Sequence, residues 1–311
     1  MTKARSSRRT RPLLPLFDME LRSKLIDQVE LEYPDTDDMT RSRICELQAS
    51  LVVIGRALGD RFMMREMDPM LPKKEPNTHP AAEYLASGSP EGHCRITALS
   101  YFLDEVSSNE NFVSKIREMG GRRFDAVFYE LKIASLFIRS GSNVAFIIPS
   151  RDEKSCEFLV DGIVSVECKR MSGEWEISKV SGRLSDYVQS ATEKIPPDGI
   201  GCLFVQIPTQ RRLQQSVAEA LNAELKKTLH MCGLERQAVE KLAAIVFINE
   251  FLETVMEYRK GIHRTYLGSS TVCLWRGRRY NMLPARVRRA IEHPEQQRGR
   301  QYWVNYRGMM E

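Results

Sequence analysis

Past Gly121 the chain alternates short apolar runs with amphipathic stretches of helix length, and this alternation limits the available folds more than any other feature. Residues 144–148 form an apolar run stopped by Pro149-Ser150, and residues 156–170 read as two strands meeting at Asp161-Gly162. Residues 202–207, ended by Pro208, and 243–248 read as two further strands. The intervening stretches 124–140, 177–195 and 210–230 carry apolar residues at helical spacing. Strands joined through helices can run parallel, whereas a tight Asp-Gly connection makes an antiparallel pair. The expected fold class is α/β: a mixed β-sheet flanked by helices, with a helical N-terminal domain.

Residues 1–118 read as that helical region. Ile44, Leu47, Leu51, Ile54 and Leu58 recur at spacings of three and four, so a helix is predicted over 39–64. Shorter helices are predicted over 96–106 and 111–119, and the Pro-, Gly- and Ser-rich residues 65–92, with His93-Cys94 beside them, read as a linker. Gly120-Gly121 marks the expected boundary, with the α/β core at 119–250 and a basic extension at 251–311. Residues 1–12 hold five basic side chains and no acid, and read as a disordered start. From Arg264 onward ten Arg face three Glu. The ends carry +5 and +7 in a chain of net charge +5, which leaves −7 for the residues between. Basic ends suit a polyanion, with phosphate the obvious group, although a solvated surface has the same composition.

The hairpin at 155–169 carries the chemistry. Cys156, Phe158 and Val160 alternate with Glu157, Leu159 and Asp161, and Val164, Val166 and Cys168 alternate with Ser165, Glu167 and Lys169. Directly opposed residues share a sheet face, so the apolar sets must pair with each other. That requires partners whose numbers add to an even total, such as 158 with 166. A two-residue turn would mix the faces, so a three-residue connection is predicted, with Gly162 in a bulge. Glu157, Glu167 and Lys169 then project from one side. Two carboxylates beside a lysine suit a hard divalent cation such as Mg2+, which takes oxygen ligands and keeps several waters. The metal polarises phosphate and activates water, and the lysine orients that water or offsets developing charge.

Glu130 on a helix, Glu157 on the second strand and Glu167-Cys168-Lys169 on the third resemble the signature of the PD-(D/E)xK nuclease superfamily, the restriction-endonuclease-like fold, over roughly residues 120–250. The resemblance implies a Mg2+-dependent endonuclease, with Mn2+ as a substitute, acting on DNA in preference to RNA. It implies Glu157 and Glu167 as metal ligands with the Cys168 backbone carbonyl, Lys169 serving the attacking water, and Glu130 holding metal or water. Asp161 is an alternative ligand to Glu157, and Lys179, Arg183 and Gln189 are candidates on the helix that follows. Two departures from the family pattern stand out: Glu157 occupies a position usually held by Asp, and Cys156, not Pro, precedes it. The Glu-x-Lys triplet also occurs at 130–132 and 224–226, where helical patterns make it read as surface charge.

The basic clusters Arg276, Arg278, Arg279 and Arg286, Arg288, Arg289 lie near aromatics and are the candidate nucleic-acid-binding residues, with a solvated helix face as the plain alternative for the second. The five His are scattered without metal-binding spacing, and the seven Cys form no CxxC pair, so reduced thiols in a cytoplasmic protein are expected. No phosphate-binding glycine loop is present, and no apolar run approaches the roughly 18 residues of a membrane span. Two rival readings stay open. One is a catalytically inactive nucleic-acid-binding module on the same fold; the other is a partner-binding protein of a defence or mobile-element system, recruiting through residues 1–118. Pairing of two copies also stays open.

Overall fold

Helix α7 (Phe124–Arg139) sets the orientation of the core. Val127, Leu131, Ala134 and Phe137 are fully buried along it, a spacing that turns one continuous face to the sheet. Ser140 and Gly141 close it: the Gly141 N–H donates to the Ile138 carbonyl, and a φ of 86° at Gly141 is readily adopted only without a side chain. The computed structural model describes residues 19–67, 79–119, 123–148, 154–171, 176–177, 180–207, 213–231, 233–257 and 262–294. The basic start, Lys179 and the final Arg residues lie outside these.

The chain is α/β, with one six-stranded sheet in the order β1-β2-β3-β4-β5-β6. β2 (Phe158–Val160) lies between β1 (Val144–Phe146) and β3 (Val164–Arg170) and is antiparallel to both. Helix α8 (Val180–Lys194) crosses to β4 (Ile200–Ile207), and α9 (Gln215–Met231) with α10 (Leu234–Lys241) crosses to β5 (Leu242–Glu257). Both crossovers give parallel pairs, and β6 (Ile262–Arg276) returns antiparallel. The strand expected at 243–248 is therefore less than half of β5. Among the described residues after 251, what reads as a basic extension is the ribbon of β5 and β6 followed by helix α11 (Ala285–Glu292).

The hairpin has the even-sum register, with Phe158 opposite Val166 and Val160 opposite Val164. Asp161, Gly162 and Ile163 make the three-residue connection, with φ of 54° at Asp161 and 72° at Gly162. Val164, Val166 and Cys168 enter the core beneath α7, while Leu203, Val205 and Ile207 of β4 enter the core beneath α8 and α9.

The N-terminal helices are α1 (Met19–Glu32), α2 (Asp38–Leu58), α3 (Asp60–Phe62) with a π-helical continuation at Met63–Met67, α4 (Pro80–Ala86), α5 (Pro90–Val106) and α6 (Phe112–Ile116). Residues 79–92 are thus a helical corner, not a linker, and His93 and Cys94 lie inside α5. The Pro, Ser and Gly that suggest a loop do other work here. Pro80 and Pro90 start helices, where a missing N–H costs nothing, and the Ser89 hydroxyl accepts from Gly92 N–H at 3.0 Å. Gly92 packs so close that a Cβ would lie 2.0 Å from the Tyr84 carbonyl oxygen. His79 caps α4 and contacts the Met119 carbonyl at 2.9 Å, its ring edge-on to Phe62 and Phe124. One apolar core runs from Val53 through α5 and α7 to Ile291, so packing continues across the boundary expected near 120.

A buried ion-pair network reinforces that junction. Lys132 of α7 donates to Glu250 of β5 at 2.6 Å, and Arg95 of α5 donates to the other oxygen of Glu250 at 2.6 Å. Lys132 and Glu250 are buried, so the Glu-x-Lys triplet at 130–132 is interior, not surface charge. Burial acts to raise the Glu250 carboxyl, but Lys132 and Arg95 outweigh it and hold it below the usual carboxylate range.

Candidate active site

β2 begins at Phe158, and the site forms beside that end of the strand. Met171 N–H donates to the Gln206 carbonyl of β4, so the odd-numbered residues of β3 direct their backbone groups towards β4. The even-numbered ones face β2, where the Val166 carbonyl accepts from Glu157 N–H at 3.0 Å. Two residues further on, the Cys168 carbonyl points the same way, past the last paired residue of β2.

Two ion-pair clusters adjoin this gap. In the first, Lys115 of α6 places its Nζ 2.5 Å from Glu130 Oε2 and 2.7 Å from Glu157 Oε2, with Glu118 Oε2 at 3.7 Å. Arg123 reaches the same three carboxylates from a half-exposed position. In the second, Glu167 Oε1 accepts Lys169 at 2.7 Å and Lys194 at 2.6 Å. Glu167 Oε2 is buried with no hydrogen-bond partner among the described residues. Lys194 also helps draw the Glu157 carboxyl down, which brings the two clusters within one electrostatic field.

Burial and the charge of Glu157 push the Glu130 carboxyl up to about 7, against the pull of Lys115. Burial also acts to raise Glu157, but Lys115, with Lys194 and Arg123, overcomes it and keeps that carboxyl below its ordinary value. The proton shared by this pair therefore resides on Glu130. Burial, reinforced by Glu130, Glu157 and Glu167, raises the Cys168 thiol far above its ordinary range, which makes it a packing group and no nucleophile.

A pH effect follows. The folded protein holds a proton on Glu130 over a range in which the unfolded chain, with an ordinary carboxyl near 4.5, has released it. Stability supplied by that protonation is present at low pH and is lost as pH rises from about 4.5 to about 7. Urea midpoints at pH 5 and pH 7.5 should show a decline that Glu130→Gln flattens; an equal decline in the variant would refute the assignment.

Of the residues expected at the site, Glu130 and Glu157 meet at Lys115, and Glu167 and Lys169 pair directly. Asp161 lies elsewhere. Four residues along the strand from Glu157, about 13 Å away, its carboxylate accepts Asn143 N–H at 2.9 Å and Arg286 Nε at 2.8 Å. Gln189 is exposed and bonds Glu193, and Arg183 is half-buried on α8. Lys115 and Lys194 are absent from the sequence reading. Lys115 had a signal: Phe112, Lys115 and Ile116 share one helical face, and an interior lysine needs acidic partners. Lys194, at the end of α8, looks like any surface lysine.

No family model, no curated protein and no solved structure matches the chain. The site's chemistry therefore rests on its own geometry. Among the described residues no three His, Cys, Asp or Glu side chains converge at metal-binding spacing, and no helix is long and apolar enough to cross a membrane. Lys115 stands between Glu130 and Glu157 instead, and Lys169 and Lys194 hold Glu167. The oxygens left over are of the kind that a hard divalent ion takes. Glu167 Oε2 is an orphaned buried oxygen, Lys115 and Arg123 both use Glu157 Oε2 and leave Oε1, and the Cys168 carbonyl faces the gap.

The six candidate nucleic-acid-binding arginines divide. Arg276 pairs with Glu292 at 3.0 Å and lies over the Tyr280 ring, Arg279 donates to the Gly199 carbonyl at 2.9 Å, and Arg286 holds Asp161. Arg278 and Arg289 are exposed and Arg288 is half-buried, and none of these three has an ion pair among the described residues.

Proposed function

We propose that the chain is a metal-dependent endonuclease of the PD-(D/E)xK type, hydrolysing phosphodiester bonds of nucleic acid, with DNA preferred to RNA, in a cytoplasmic setting. The observation that carries this reading is the buried Glu167 Oε2, without a hydrogen-bond partner among the described residues, beside Lys169 and the Cys168 carbonyl at the end of the sheet where β2 begins. The order of helix, three strands, helix and strand from α7 to β4 supports the same reading. Mg2+, or Mn2+ in its place, would be held by Glu157, Glu167 and the Cys168 carbonyl, and when bound would polarise a phosphate oxygen and acidify a water. Lys169, only partly exposed, holds the carboxylate that would ligate the ion and can turn its ammonium to the attacking water or to the phosphate. Glu130, carrying a proton near neutral pH, can accept or return one to water.

One observation favours the second reading, a nucleic-acid-binding module without catalysis: every carboxylate of the site already has a lysine partner. Cleavage of plasmid and single-stranded DNA with Mg2+ or Mn2+, run beside Glu167→Ala, separates the two, because the binding module cuts nothing.

For the DNA contact, Arg278, Arg288 and Arg289 are the residues with charge to spare. Replacing Arg288 and Arg289 by Ala should weaken DNA binding and lower the slope of log affinity against log salt by about 1 per lost phosphate contact. Titrations between 50 and 200 mM salt measure this, and an unchanged slope rejects the surface. Arg286→Ala is a poor probe, since it also releases Asp161.

A further inference from the structure

We propose that Lys115 is a built-in cation that takes the place of a second metal ion, so that the site accepts a single divalent ion, on the Glu167 side. The inference rests on the nuclease reading above and adds to it the metal stoichiometry.

An ion bridging Glu130 and Glu157 would stand about 2.1 Å from an oxygen of each. The ammonium of Lys115 stands there already, 2.5 Å and 2.7 Å from those oxygens, with Glu118 behind it. Two cations cannot share that volume. Lys115 also has no ready exit. It is 2% exposed, and the segment that carries it is tied on both sides: before α6 Asn111 Nδ2 donates to the Phe146 carbonyl of β1, and after it the Met119 carbonyl, at the end of the turn Arg117–Met119, meets His79. An ammonium displaced from these carboxylates would remain buried and unpaired, which is strongly unfavourable. Glu167 differs. Its lysines both bind Oε1 from partly exposed positions, and Oε2 has no partner among the described residues. An incoming ion can ligate Oε2 without expelling an ammonium. Lys115 thus acts as a positioning residue: it fixes Glu157 Oε2 and leaves Oε1 for the ion.

Manganese titration of the full chain, followed by calorimetry and by electron paramagnetic resonance, tests this. The unmodified protein should bind one Mn2+ per chain with the spectrum of an isolated ion. Lys115→Met, which removes the charge and keeps the length, should bind a second Mn2+, with the broadening of two neighbouring ions. Lys115→Arg should stay at one. Two ions in the unmodified protein, or a single ion at unchanged affinity in Lys115→Met, overturns the inference and leaves the nuclease reading standing. No Mn2+ binding by the unmodified protein overturns both. Should Lys115→Met fail to fold, the stoichiometry of the unmodified protein and of Lys115→Arg still decides.

Discussion

Glu167→Ala should abolish metal-dependent cleavage while leaving the protein folded. The expected loss is about a thousandfold or more, on the order of what removal of one preorganised charged group costs in a dry site. Two lysines lose a partner in this variant, but unlike Lys132 both are partly exposed and can turn to water, so the loss of stability should be well below that of Glu250→Ala, as thermal unfolding of the two variants side by side measures. Lys169→Ala should lower cleavage about a hundredfold or more and leave Mn2+ binding in place, since Lys169 is not a ligand. Calorimetry then distinguishes the roles: Glu167→Ala loses the ion, Lys169→Ala keeps it. DNA affinity without metal should hold or rise in Glu167→Ala, because Lys169 and Lys194 are released towards phosphate. Cleavage that persists in both variants sinks the assignment of this site, and a protein that binds DNA but neither ion favours the binding module.

Glu250→Ala should be the most destabilising single substitution of a charged residue. Removing this carboxylate leaves Lys132, 4% exposed, without its counter-charge, and deprives Arg95 of one of its two acidic partners. Breaking a buried pair from one side costs about 3–5 kcal/mol. For a chain of this size that lowers the melting temperature by about 10 °C. Lys132→Met alone should cost less, since Glu250 keeps Arg95. Adding Lys132→Met to Glu250→Ala should recover part of the loss, because no charge is then buried alone. Thermal and urea unfolding measure all three, and a loss under 1 kcal/mol for Glu250→Ala would mean that water reaches the pair.

The hairpin shows how much a short sequence can fix. Alternation from Cys156 to Lys169 allows only even-sum registers, and with a three-residue turn Phe158 falls opposite Val166. The corner at 79–92 shows the converse. Proline, serine and glycine occur in loops and also at helix starts, and only the buried His79 and the contact of Gly92 with the Tyr84 carbonyl distinguish the two. The length of β5 was hidden for a similar reason, since beyond Asn249 its ladder is with β6 alone.

Alternation and helix-length spacing, both local properties of the chain, determined the α/β class, the hairpin register and the shared strand of Glu167 and Lys169. The partners of the charges were decided by tertiary structure. Lys115 lies 42 residues from Glu157, Lys194 lies 27 from Glu167, and Lys132 lies 118 from Glu250. A periodic pattern shows which face is buried, but a buried charge is stabilised by whichever opposite charge the packing of distant elements brings within about 3 Å.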